Sequence, residues 1–159
     1  RRYFQRMATL AFAKKRAGKP QWAFLLDING FKAINDTFGH AKGDEALIDL
    51  AHILEQTAPN HTVVSRYGGD EFALLTSELS ESEVFTFLEI LEHKLTAANA
   101  AGQIPDFISV SVGCASLSVK ENTDLDSFLT LLDKSMYTAK EESKKQRDQK
   151  HSVIFHLCT

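Results

Sequence analysis

The sequence predicts an α/β protein: a mixed β-sheet of about five strands with helices packed on it. Three observations carry that expectation. Segments with apolar residues at helical spacing alternate with short apolar runs of strand type. Two such runs, 63–67 and 72–76, are joined by Gly68-Gly69-Asp70-Glu71, as in a β-hairpin. A third, 22–28, reads Trp-Ala-Phe-Leu-Leu-Asp-Ile, as a strand buried on both faces would. A hairpin inside an alternating series calls for a mixed sheet rather than a purely parallel one.

The elements follow in order. Phe4, Met7, Ala8, Ala11 and Phe12 predict a helix over 1–16, stopped by Gly18-Lys19-Pro20. The strand 22–28 ends at the turn signal Asn29-Gly30. A short helix is expected over 31–38, broken by Gly39-His40. A longer one is expected over 44–57, with Leu47, Leu50, Ala51 and Leu54 on one face. After the hairpin, Ser80 and Glu83 form a capping box for a helix to about Ala98. Ile108, Val110 and Val112 alternate with Ser109 and Ser111, which predicts a strand over 107–115. Thr123 and Asp126 would cap a last long helix through Phe128, Leu132 and Tyr137. The charged run 140–150 reads as a mobile surface segment, and 152–157 as a final strand.

With 159 residues, 43% of them hydrophobic, the chain reads as one domain over 1–159, able to bury a core. Its net charge of −3 gives no basic field, which argues against a nucleic-acid partner. No apolar stretch approaches the roughly 20 residues of a membrane helix, so no membrane contact is expected. Cys114 and Cys158 do not make a disulfide framework. They read as buried reduced thiols of a cytoplasmic protein. The chain begins Arg-Arg-Tyr-Phe, without Met or a signal-peptide pattern, and so reads as a piece of a longer protein.

The chemistry concentrates in acids. Asp27 closes the first buried strand, and Asp70 and Glu71 sit at the hairpin tip. If those strands are neighbours, the three carboxylates meet at one sheet edge, where they suit a hard divalent cation with positions left open for phosphates. Gly68 and Gly69 leave room for a ligand to approach. The plainer alternative is an ordinary hairpin turn and a plain strand end. Glu71 weighs against it, because a hairpin needs no second acid there.

A second polar cluster spans Asn35 to Asp44, around Gly39 and Gly43. It reads either as a helix–helix connection with Asp44 as the N-cap, or as a recognition element. An Asp carboxylate accepts two parallel N–H bonds, which guanine offers and adenine does not. The histidines show no metal-ligand spacing. His40 reads as a structural hydrogen-bonder, the others as surface or packing residues.

Taken together, three stretches resemble the GGDEF domain, the catalytic domain of diguanylate cyclases. They are Arg-Tyr-Gly-Gly-Asp-Glu-Phe at 66–72, Leu-Asp-Ile-Asn-Gly-Phe-Lys-Ala-Ile-Asn-Asp-Thr-Phe-Gly-His at 26–40 with Gly-Asp-Glu at 43–45, and Asp-Lys-Ser-Met-Tyr-Thr-Ala-Lys at 133–140. The resemblance implies the palm-like fold shared with class III nucleotide cyclases and the joining of two GTP into cyclic di-GMP with release of two pyrophosphates. It implies that Asp27, Glu71 and the Ile28 carbonyl hold Mg²⁺ or Mn²⁺, with Asp70 supporting the metal or the attacking hydroxyl. Gly68 and Gly69 would lie against the nucleotide, and Asn35 and Asp44 would read guanine. Lys32, Lys140 and the backbone near Gly30 and Phe31 would contact phosphates. One GTP per domain implies a two-fold homodimer, and a sensory or dimerisation region would precede this segment.

The sequence departs from the family pattern at three places. Asn29 stands where a second Asp is common. Lys144 replaces an Arg that grips phosphate, keeping the charge and losing the bidentate fork, and Glu141 and Glu142 stand beside it. Pro59-Asn60-His61-Thr62 occupies the positions of the family's Arg-x-x-Asp product-inhibition site, so feedback there is expected to be absent. The main expectation is an active diguanylate cyclase. The alternative is a weak or inactive GGDEF domain that binds GTP and regulates a partner.

Overall fold

The computed structural model describes residues 1–13, 20–102, 108–117, 124–145 and 151–158. The elements run α1 (Arg2–Ala13), β1 (Gln21–Ile28), α2 (Phe31–Phe38), α3 (His40–Thr57), β2 (Val63–Gly68), β3 (Glu71–Glu78), α4 (Glu81–Ala100), β4 (Val110–Leu117), α5 (Leu125–Lys145) and β5 (Val153–Cys158). The five strands form one sheet in the order β2-β3-β1-β4-β5. The pairs β2–β3, β3–β1 and β1–β4 are antiparallel and β4–β5 is parallel, so the sheet is mixed as expected.

β1 is the central strand and is buried from Trp22 to Ile28. Its period of two feeds two cores. Trp22, Phe24, Leu26 and Ile28 face Leu50 and Leu54 of α3 and Phe87 and Leu91 of α4. Ala23 and Leu25 face Phe4 of α1 and Phe128, Leu132 and Met136 of α5. The same alternation puts Asp27 on the α1–α5 side of the sheet. No helix among the described residues is long and apolar enough to cross a membrane.

α5 approaches the sheet unusually closely, and one glycine permits it. A Cβ at Gly113 would lie 2.2 Å from the Met136 nitrogen and 2.5 Å from its Cα. The buried Ser135 hydroxyl secures the contact. It donates to the His156 carbonyl at 2.7 Å and accepts from the Cys114 N–H at 3.1 Å. α5 is thereby bonded to both β4 and β5, which fixes what its next turn presents to the sheet edge.

Several boundaries differ from the expectations. α3 begins at His40, four residues before Asp44, because Gly39 (φ +85°) makes the whole chain reversal between α2 and α3. Asp44 is therefore an exposed helical residue and not an N-cap. His40 is exposed at the first position of that helix. The capping box of α4 is present as expected, with Ser80 N–H donating to Glu83 at 2.7 Å. For α5 the capping acceptor is Asp124, which takes the Ser127 N–H at 2.7 Å. α5 also continues through Lys145, so the first part of the run 140–150 is helix. Cys158 is only partly buried, whereas Cys114 is buried. The expected ends at 14–19, the strand start at Phe107, the cap Thr123 and the run 146–150 lie outside the described residues.

Candidate active site

The site is assembled at one edge of the sheet by strand register. Asp27 of β1 is paired directly with Glu71 of β3, and on its other side with Ser111 of β4. Directly opposed residues of an antiparallel pair project to the same face with Cβ atoms about 5 Å apart. The face is that of Ala73 and Leu75, the side on which α5 packs. Two acids are thus held side by side by backbone pairing alone.

The hairpin turn is two residues, Gly69-Asp70, with Gly68 paired to Glu71. The register slips between Arg66 and Gly68, which turns the tip. Arg66 braces it: its Nε and Nη2 both donate to the Gly69 carbonyl, at 2.9 and 2.7 Å. The Asp70 carbonyl accepts the Ile28 N–H at 3.4 Å, tying the tip to the end of β1. Glu71 Oε2 lies 3.4 Å from where a Gly68 Cβ would stand, so its carboxylate folds back over that glycine. Tyr67, just before the glycines, packs at right angles to Phe4 (centroids 5.6 Å) and takes the Arg1 guanidinium over its ring.

Asp27 is buried, and burial is the first cause pushing its carboxyl above the ordinary value. Lys140 acts against this by hydrogen bond and charge, while Asp70 and Glu71 push the same way as burial. Lys140 Nζ stands 2.7 Å from Asp27 Oδ2. It reaches there from α5, one turn beyond the Gly113 contact. In this structure, which holds no nucleotide, the ammonium of Lys140, the lysine that the family resemblance assigns to phosphate contact, is the counter-ion of Asp27. Lys144, one turn further, is exposed and donates to Glu141 at 2.7 Å.

Among the described residues no group of three or more His, Cys, Asp or Glu side chains stands close enough to close on a metal ion. The donor set nevertheless fits a small hard cation. Asp27 and Glu71 are paired oxygen donors with a neighbouring carbonyl at Ile28, and Asp27 already draws an ammonium to hydrogen-bond distance. Asn29 points elsewhere. Its amide donates to Ser109 Oγ at 3.0 Å and accepts from Ser111 Oγ at 2.7 Å, so it anchors the β1 end to β4. An Asp could not make that donation, which accounts for an amide at this position.

The second cluster is also brought together. α2 starts at Phe31 behind its N-cap Gly30 (φ +71°), and among the described residues no side chain caps it, leaving the first N–H groups near Phe31 and Lys32 open at this corner. Asn35 lies against α3 at Gly43, next to Asp44. From Asp44 a cleft of about 490 Å³ runs between α3 and β2, lined by Leu47, Ile48, Ala51, Val64, Arg66 and Phe72 among others. Sequence reasoning did not single out Arg66 or Gly113. The first had a signal in its place beside the glycine pair. The second had none, since its role depends on a helix distant in sequence.

A mixed sheet with helices on both faces, and two acids opposed beside a glycine-rich hairpin, defines the palm-like class of nucleotide-cyclase domains. Within that class the chain belongs to the GGDEF family: residues 1–146 match the domain described as "Diguanylate cyclase, GGDEF domain". The diguanylate cyclase DosC of Escherichia coli is 31% identical over 131 residues, which are 81% of this chain and 28% of that enzyme. The cyclic di-GMP phosphodiesterase PdeR of the same species is 35% identical over 121 residues, 76% of this chain and 18% of PdeR. The solved GGDEF domain of YfiN (TpbB) from Pseudomonas aeruginosa superposes with a TM-score of 0.80 at 26% identity, covering 100% of this chain and 95% of that one. The chain thus spans less than a third of the length of each of these two curated relatives.

Proposed function

We propose that this domain is a diguanylate cyclase that condenses two GTP into cyclic di-GMP and two pyrophosphates. The observation that carries the reading is the register pairing of Asp27 with Glu71, with Lys140 held beside them. Asp27, Glu71 and the Ile28 carbonyl would hold Mg²⁺ or Mn²⁺, with Asp70 in support. Such an ion neutralises phosphate charge and lowers the pKa of a nearby hydroxyl.

The protein's own groups do the rest. Asn35 and Asp44 take the guanine edge, and the glycines at 68 and 69 leave the nucleotide room. Lys32, Lys140, Lys144 and the open N–H groups after Gly30 receive the triphosphate. Arriving phosphate oxygens offer Lys140 an alternative to Asp27, so its ammonium moves from carboxylate to phosphate as substrate binds. The 3′-oxygen of one GTP then bonds to the α-phosphorus of the other. The bond from that α-phosphorus to the bridging oxygen of the β-phosphate breaks, pyrophosphate leaves with that electron pair, and the hydroxyl proton passes to solvent or a nearby carboxylate; the same step with the two nucleotides' roles exchanged closes the ring and releases the second pyrophosphate. Positioning and electrostatics supply most of the acceleration.

Each domain offers one such site, so two copies must face each other with two-fold symmetry. A preceding sensory region would control that encounter. A GTP substrate would put the reaction in the cytoplasm.

A second reading has its own support. Lys144 is engaged by Glu141 rather than presented as a fork, and a relative named as a phosphodiesterase carries a matching segment. On that reading the domain binds GTP and regulates a partner without making product. Incubating concentrated protein with GTP and Mg²⁺ or Mn²⁺ separates the two. Cyclic di-GMP lost in Glu71→Gln supports the cyclase, whereas GTP binding without product supports the regulator.

A further inference from the structure

We infer that Gly43 is a positioning residue for base recognition: its missing side chain makes the notch in α3 that seats the Asn35 carboxamide beside Asp44. This rests on the reading of Asn35 and Asp44 as the pair that meets guanine. Gly43 is buried in the first turn of α3 and is not among the glycines with positive φ. Its backbone conformation is open to any residue, and glycine inside a helix is destabilising relative to alanine. Backbone geometry therefore gives no reason for glycine here.

The neighbouring side chains give one. A Cβ at position 43 would stand 1.9 Å from Asn35 Oδ1, 2.9 Å from Asn35 Cγ and 3.2 Å from Phe31 Cζ. The Asn35 amide lies directly on the α3 backbone, in the space a side chain would fill. Asn35 cannot retreat as a whole, because its carbonyl accepts the Gly39 N–H at 2.9 Å at the reversal between the helices. It can only rotate its side chain away.

The consequence is specific. An alanine at 43 meets chiefly the end of a flexible side chain, so α3 still forms. What is displaced is the amide that stands one residue from the Asp44 carboxylate. On that reading, an amide seated at Gly43 and the carboxylate of the following residue together match the donors and acceptor on the guanine edge, and adenine presents a different set. Gly43 thus gives up helix stability for the position of a reading group.

The test uses GDP and ADP, titrated calorimetrically into the wild type, Gly43→Ala, Asn35→Ala and the double variant, with a thermal melt of each. The expected result is that G43A melts at or above the wild-type temperature and binds GDP about tenfold more weakly, with ADP binding unchanged. In the N35A background the added G43A then costs nothing, since it acts through Asn35. A wild-type GDP-over-ADP preference in G43A overturns the inference, as does an equal loss in the N35A background. If N35A itself keeps the full GDP preference, the failure lies with the guanine-reading assignment beneath it.

Discussion

Asp27 and Glu71 face each other across the β1–β3 pair, and Lys140 from α5 closes on Asp27 at 2.7 Å. The arrangement is a cation-attracting pair built across the central strand β1 and its neighbour β3. Substituting Glu71→Gln or Asp27→Asn removes one member of it with little change in shape. Product formation should fall by at least about a hundredfold in either variant. The fold should persist. An amide at position 27 relieves a charge that burial disfavours, and Lys140 is exposed enough to be solvated. Chromatography for product and a thermal melt check both halves.

Gly113 is expected to matter through Lys140. An alanine there would place its Cβ 2.2 Å from the Met136 nitrogen, so α5 must lift from the sheet. Gly113→Ala should cost about 1–3 kcal/mol of stability by urea denaturation. It should also raise KM for GTP more than it lowers kcat, because Lys140 rides on the displaced helix. An unchanged KM beside the lost stability would separate the helix contact from the site.

Feedback should be missing at Pro59–Thr62. Neither an Arg nor an Asp stands in that stretch, and the exposed His61 holds a φ of +61°. Added cyclic di-GMP should leave the initial rate unchanged at concentrations that saturate an Arg-x-x-Asp site. Inhibition abolished by His61→Ala would contradict this.

The cysteines offer a check of the sheet itself. Burial pushes the Cys114 thiol up to about 12, with a smaller push from Cys158. A raised thiol pKa contributes stability that is fully present below the ordinary 9.0 and lost as pH rises through about 12. Native protein in mild alkali should therefore alkylate at the partly buried Cys158 and spare Cys114. Mass spectrometry of the labelled peptides shows which thiol reacted.

Much of this was legible in the sequence, for physical reasons that differ by element. β1 was legible because a strand buried on both faces must be apolar nearly throughout, which leaves Asp27 conspicuous. The hairpin was legible because Gly68-Gly69 admits few other structures. The acids could be placed together only on the condition that β1 and β3 are neighbours, which no local pattern states. The start of α3 was misplaced because Gly43 looks like a helix breaker, while Gly39 alone makes the turn. The Lys140–Asp27 pair was not legible, because it depends on how closely α5 lies on the sheet at Gly113. That distance is set by three-dimensional packing between residues far apart in sequence.

The most direct test follows cyclic di-GMP formation from GTP and Mg²⁺ or Mn²⁺ as the domain is concentrated or joined into a dimer. Initial rate per protein should rise with concentration, as two facing copies require, and vanish in Glu71→Gln. Protein shown to be dimeric and to bind GTP, yet making no cyclic di-GMP with either metal, would contradict the account.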